Sequence, residues 1–245
     1  MSETLVINEV YLSLQGESTF AGLPCVFVRL TACNLRCSYC DTAYAFTEGG
    51  KQSLDDTLAD VRKLAEPFTN RRVSGQRLPI VELTGGEPLL QPNALPLMQA
   101  LCDEGFTVLI ETSGAHDISK IDSRVRRIMD LKCPSSGEVA RNHWANIAQL
   151  KTTDEVKFVI GTQQDYNWMK EQIAAHRLDT ICPLLVSWVQ PLARDQQHPS
   201  LKPVPAGMTP ITRLELAERI IADALPVRFQ LQMHKFIWPV EQRGV

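Results

Sequence analysis

Residues 79–88 read Pro-Ile-Val-Glu-Leu-Thr-Gly-Gly-Glu-Pro. Residues 79–83 form a short apolar, β-branched run of the kind that builds a buried strand, and Thr84-Gly85-Gly86-Glu87-Pro88 ends it with turn-forming and polar residues. Comparable runs occur at 25–30, 106–110, 127–131, 155–160, 183–189 and 227–233. Helical patterns fall between several of them. Ser53 is placed to cap a helix in which Leu54, Leu58, Val61 and Leu64 recur at helical spacing. Segments 93–104 and 164–176 read as further helices, and Thr212 caps another with Leu216, Ile220 and Leu225 among its apolar positions. Strands alternating with helices argue for parallel βαβ units.

Six of the seven strands run straight into unusual residues. Thr31-Ala32-Cys33 follows the first, Thr84 to Pro88 the second, and Glu111-Thr112-Ser113-Gly114 the third. Lys132 follows the fourth, Gln190-Pro191 follows 183–189, and His234-Lys235 follows the last. In a barrel or partial barrel of parallel strands these ends converge on one face, which carries the site. The expected architecture is therefore α/β, one domain over residues 1–245, with 190–210 as a long Pro-rich loop.

Lys and Arg number 25 and Asp and Glu 28, a net charge of −3 that gives no reason to expect nucleic acid or an anionic membrane as partner. The longest apolar stretch, 181–189, is too short to span a bilayer and contains Pro183 and Ser187. Met1-Ser2-Glu3-Thr4 lacks the basic and apolar regions of a secretory leader, so the expected location is the cytoplasm. Seven cysteines, an odd number in a chain large enough to build a core, argue against a disulfide scaffold. Cys25, Cys102, Cys133 and Cys182 are scattered and read as buried thiols.

The other three cysteines form a motif. Cys33-Asn34-Leu35-Arg36-Cys37-Ser38-Tyr39-Cys40 has the spacing C-x3-C-x2-C. Three thiolates on one loop can hold three irons of a 4Fe–4S cluster and leave the fourth iron open. A zinc site would need a fourth ligand nearby, and the next histidine is His116.

With Tyr39 before its third cysteine, this motif resembles that of the radical S-adenosylmethionine (SAM) superfamily. Gly85-Gly86-Glu87-Pro88 is similar to that superfamily's second motif, which contacts the methionine amino group. Ser13-Leu14-Gln15-Gly16-Glu17, Arg29, Cys40-Asp41-Thr42 and Gln230-Leu231-Gln232-Met233-His234-Lys235 narrow the resemblance to the 7-carboxy-7-deazaguanine synthase family, from about Asn8 to His234. The resemblance implies an incomplete TIM-like barrel, a homodimer and a flavodoxin- or ferredoxin-like electron donor. The implied reaction is that of a radical SAM lyase turning 6-carboxy-5,6,7,8-tetrahydropterin into 7-carboxy-7-deazaguanine with loss of ammonia, in queuosine and related deazapurine synthesis.

Residue roles follow from the same resemblance. It implies cluster ligands at Cys33, Cys37 and Cys40, and SAM contacts at Tyr39, Gly85, Gly86, Glu87, Ser113, Lys132 and Gln190. Substrate contacts fall on Leu14, Gln15, Gly16, Arg29, Thr84 and His234, with Mg²⁺ at Thr42. Gly86 and its neighbours would let backbone approach the methionine without a Cβ in the way, and the Arg29 fork suits a carboxylate. Many family members have Ser-Pro-Lys where this chain has Asp130-Leu131-Lys132, which leaves Lys132 in place and puts contacts from the two preceding residues in doubt. In some relatives the chain ends shortly after the histidine, with its carboxylate near the pterin; here 236–245 continues, so that contact is not carried over.

Plainer readings stand beside these. Arg29 can be a strand arginine paired with a structural acid, Glu17 a solvated loop acid and His234 a structural hydrogen-bonder, while Thr42 can bond its own backbone. A non-enzymatic iron–sulfur or zinc scaffold would have no use for the Gly-Gly-Glu-Pro and Gln-Gly-Glu segments. A glycyl-radical-enzyme activase shares the cysteine spacing, but activases carry Asp-Gly-Pro-Gly ahead of the cluster, where this chain has Gln15-Gly16-Glu17.

Overall fold

The first strand, β1 (Thr4–Leu14), is one the sequence reading lacked. Asn8, Glu9 and Ser13 break up its apolar residues, and it is fixed by pairing antiparallel with β2 (Pro24–Leu30) rather than by its own composition. The computed structural model describes residues 3–192, 196–239 and 242–245. In it β3 (Gly50–Ser53) lines the other side of β1, and a small hairpin, β4 (Arg72–Val73) and β5 (Gln76–Arg77), stands apart. The remaining strands are β6 (Ile80–Gly85), β7 (Val108–Thr112), β8 (Arg126–Asp130), β9 (Glu155–Ile160), β10 (Leu184–Trp188) and β11 (Arg228–Gln230).

The sheet order is β11-β10-β9-β8-β7-β6-β2-β1-β3, with β2 and β6 to β11 all parallel. The two end strands do not pair with each other, so the barrel is incomplete, as expected. Helices α1 (Leu54–Ala65), α2 (Ala94–Asp103), α3 (Gln163–His176) and α4 (Arg213–Ala222) match the expected ones. Ser53 accepts the Asp56 amide at the start of α1, and capping boxes at Thr162–Asp165 and Thr212–Glu215 open α3 and α4. The last strand is shorter than the expected 227–233. After Gln230 the chain leaves the sheet for a short helix, α5 (His234–Ile237), because Met233 N donates to Gly16 O at 2.9 Å instead of continuing a ladder.

Alternation along the parallel strands separates two faces. Val26, Val28, Leu83 and Ile110 pack outward with Leu58, Leu97, Met98 and Met169 of the helices. Cys25, Phe27, Ile80, Leu109, Ile128 and Leu185 point the other way and fill the lower lumen. Each fully buried aliphatic side chain contributes about 1.5–3 kcal/mol. The inward parity, continued towards the carboxyl ends, reaches Arg29, Glu82, Thr84, Glu111, Asp130 and Lys157, so the upper lumen is polar. Among the described residues no helix is long and apolar enough to cross a membrane. The expected long loop is present over its described part; positions 193–195 lie outside the described residues.

Candidate active site

The three cysteines follow β2 on one loop, and all three line the lumen cavity as free thiols. The glycines of the second motif explain why the loop runs where it does. Gly85 has φ +142, and a Cβ there would overlap the Leu30 carbonyl; a Cβ on Gly86 would overlap the Ala32 carbonyl and come within 2.8 Å of Cys33 Cβ. Gly86 N donates to Leu30 O at 3.2 Å and Glu87 N to Ala32 O at 2.8 Å. In the protein itself, what the missing side chains admit is the backbone of the cysteine loop.

Glu87 departs from its expected place. It is fully buried and does not line the cavity. Its carboxylate accepts from Thr112 Oγ1 at 2.9 and 3.0 Å, Ser113 N at 2.7 Å, Ser113 Oγ at 2.5 Å and Leu89 N at 3.0 Å. With its oxygens taken up by these bonds, the side chain braces the end of β7 against the turn that follows Glu87. Ser113, Lys132, Gln190 and Tyr39 do line the cavity. Lys132 Nζ is 2.7 Å from Asp130 Oδ2, and this neighbour outweighs the effect of burial and raises the lysine pKa. Asp130 lines the cavity as well, whereas Leu131 belongs to the outer core.

The segment Leu14–Glu17 crosses the lumen as its floor. Gln15 Nε2 donates to Glu82 Oε2 at 2.7 Å while its Oε1 accepts from the Glu17 amide, which fixes the amide in one orientation. Gly16 packs against His234: a Cβ there would lie 2.7 Å from His234 Nδ1. Arg29 Nε bonds Glu9 Oε1 at 2.7 Å and Nη2 bonds Tyr11 at 2.7 Å, so the structural acid is real, yet the side chain still lines the cavity. Thr84 and Thr42 line it too, and Thr42 Oγ1 is 3.7 Å from Cys40 Sγ. Val245 also lines the cavity, at the end of the 236–245 extension, for which no contact was carried over from the resemblance. Arg243 holds that segment, 2.6 Å from Glu48 and 4.0 Å over the Tyr44 ring.

Three charged residues have no role assigned from the sequence: Glu82, Lys157 and Glu111, the last named only within a polar strand end. Lys157 Nζ lies 3.1 Å from Glu17 Oε2 and 3.2 Å from Glu111 Oε1, all in the cavity. Burial works against the Glu17 carboxylate, but Lys157, His234, the Gln232 hydrogen bond and Lys235 together hold the pKa below the ordinary value. Burial, with Glu111 close by, pushes the Glu82 pKa well up. The available signal was parity, since each charge falls on the same inward alternation as Arg29 and Thr84.

Comparison with known proteins agrees with this geometry. Residues 28–175 match the Radical SAM superfamily. The 7-carboxy-7-deazaguanine synthase of Koribacter versatilis is 41% identical over 240 residues, covering 98% of this chain and 99% of that protein. This chain belongs to the 7-carboxy-7-deazaguanine synthase family. The Chlorobaculum tepidum member is 40% identical over 98% of this chain and 97% of its own length. QueE from Escherichia coli has a similar structure, with a TM-score of 0.62 at 25% identity over 94% of this chain and 95% of that one. Streptococcus suis SuiB bound to S-adenosylmethionine shares the fold, with a TM-score of 0.52 at 13% identity over 82% of this chain and 48% of that one.

Membership of the synthase family brings a 4Fe–4S cluster and SAM, and the residues fit both. Burial pushes the thiols of Cys33, Cys37 and Cys40 up, Cys37 to about 12, so a cationic metal centre is what would hold them as thiolates. The Tyr39 hydroxyl and Asp130 Oδ1 are buried in the same cavity without a protein partner, as donors and acceptors for a bound cofactor would be.

Proposed function

We propose that this member of the synthase family converts 6-carboxy-5,6,7,8-tetrahydropterin to 7-carboxy-7-deazaguanine with release of ammonia, as one radical SAM domain spanning residues 1–245. The observation that carries this reading is a single cavity lined by the three thiols, the Leu14–Glu17 floor and Arg29. When bound, the cluster and SAM supply an oxidising carbon radical.

The chain's own residues do the rest. Cys33, Cys37 and Cys40 hold the cluster; Tyr39, Gly85, Gly86, Ser113, Lys132 and Gln190 hold SAM, with Glu87 behind them as the brace of the β7 end. Leu14, Gln15, Gly16, Thr84 and His234 enclose the pterin, and Arg29 meets its carboxylate through the Nη1 outside its bonds to Glu9 and Tyr11. Thr42 offers Mg²⁺ one neutral oxygen, the substrate and water supplying the others. A low-potential electron donor of the flavodoxin or ferredoxin type reduces the cluster. The cytoplasm, where thiols stay reduced, suits seven free cysteines. The open edge at β11, flanked by exposed Leu231, Phe236 and Ile237, supports a homodimer.

Anaerobic reconstitution followed by incubation with carboxytetrahydropterin, SAM and dithionite tests the reading. The expected outcome is deazaguanine product and ammonia in equal amounts with SAM regenerated; 5′-deoxyadenosine without either product would overturn it.

A further inference from the structure

Ammonia departs only when its nitrogen receives a proton, and a ring carbon that joins an aromatic pyrrole has to give one up. Most charged groups around the cavity are already matched one to one: Asp41 with Lys235, Asp130 with Lys132, Glu9 with Arg29. Lys157 is held differently. It lies on the inward face of β9, buried, between two carboxylates at 3.1 and 3.2 Å. An ammonium carries three N–H groups, and Glu17 and Glu111 take two of them. The third is left to whatever occupies the cavity that Lys157 lines. Thr84 Oγ1, 3.4 Å from Glu111 Oε2, ties the same group to the strand end where substrate is placed.

We propose that Lys157 is the proton donor to the departing nitrogen and that Glu111 returns the proton collected from the ring carbon. As the C–N bond breaks, its electron pair goes to nitrogen, which takes a proton from Lys157 and leaves as ammonia. The ring carbon loses a proton to the Glu111 carboxylate, which hands it to the neutral Lys157 amine 3.2 Å away. The two transfers cancel, and the turnover consumes no net proton. Burial raises the Glu111 pKa against the pull of Lys157, which suits a carboxyl that must both take and give a proton. This assignment rests on the lyase reading above.

The test uses reconstituted enzyme with substrate deuterated at the carbon that the radical attacks, and compares wild type with Lys157→Arg and Lys157→Ala. Arginine keeps a positive charge between Glu17 and Glu111 but does not release its proton. Deuterium transfer into the 5′ position of SAM should fall by no more than about threefold in Lys157→Arg, while ammonia release falls about 10²–10⁴-fold, the usual scale of acid–base assistance. Methylammonium added to Lys157→Ala should recover ammonia release at least about tenfold. Wild-type ammonia release by Lys157→Arg, or a parallel loss of both signals with no rescue of the alanine variant, overturns the proposal. Deuterium transfer by wild type without ammonia would instead overturn the lyase reading.

Discussion

Asp41 Oδ2 and Lys235 Nζ lie 2.6 Å apart, joining the residue next to the third cluster cysteine to the segment that follows the last strand. Lys235 also donates to Gln232 Oε1 at 2.5 Å, and Gln232 Nε2 donates to Glu17 Oε1 at 2.8 Å. The cluster loop and the lumen floor are thereby connected through the end of the chain's last parallel strand. Burial would raise the Asp41 carboxyl, but Lys235 holds it down at about 2.

Lys235→Met should therefore loosen the loop. Removing one partner leaves a largely buried carboxylate unpaired, at a cost of about 3 kcal/mol. Urea unfolding of the unloaded protein should show that loss, and iron should leave the reconstituted variant faster under a chelator. Wild-type stability and iron retention would dismiss the clasp.

His234 gives the fold a pH dependence. Burial lowers its pKa below the ordinary 6.5, against the opposing pull of Glu17 and Asp41. The unfolded chain thus binds the proton first as pH falls, so the histidine's contribution is complete above about 6.5 and is lost below it. Melting temperatures measured from pH 7.5 to 5 should drop less steeply in His234→Gln than in wild type; identical slopes would count against it.

Gly16→Ala puts a Cβ 2.7 Å from His234 Nδ1. Overpacking of this size costs about 1–3 kcal/mol, roughly 5- to 150-fold in affinity if it falls on the site. Titration with the pterin should show that weakening while iron content stays at the wild-type level. Unchanged pterin affinity would remove Gly16 and His234 from the substrate wall.

Replacing Cys33, Cys37 or Cys40 by Ala should abolish 5′-deoxyadenosine formation under dithionite, whereas Cys102→Ala, a thiol buried against the outer core, should leave it intact. Cleavage of SAM by any of the three single variants would refute the ligand set.

Thr42→Val tests the metal. Wild-type turnover should rise when Mg²⁺ is restored after chelation, and the variant should lose most of that response while its cluster spectrum is retained. Chelated wild type working at full rate would eliminate Mg²⁺ from the scheme.

Much of this architecture was legible because the parallel strands are buried on both faces and read as apolar runs. β1 was not legible: all its strand partners lie in β2 and β3, and its polar residues concealed it. Within the site, the cysteine spacing and the glycine pair announced themselves as local motifs. Glu82 and Lys157 did not, since each looks like one polar interruption in an apolar strand, and Glu111 showed only as a polar residue at a strand end. They become a unit only when the sheet curves and brings β6, β7 and β9 around one lumen. Glu87 shows the reverse case. Its motif identified it, but its neighbours Thr112 and Ser113, about 25 residues away, decided what its carboxylate does.

The contact between Gly86 and the backbone of Ala32 and Cys33 bears on how the two motifs can change. Amide–carbonyl bonds join the cysteine loop to the end of β6, and a Cβ on Gly86 would overlap the Ala32 carbonyl. The second motif is therefore a partner of the first before it is a partner of any cofactor. A side chain gained at position 86 would have to be answered by a new path of the loop that carries Cys33, so the two segments are free to vary only together.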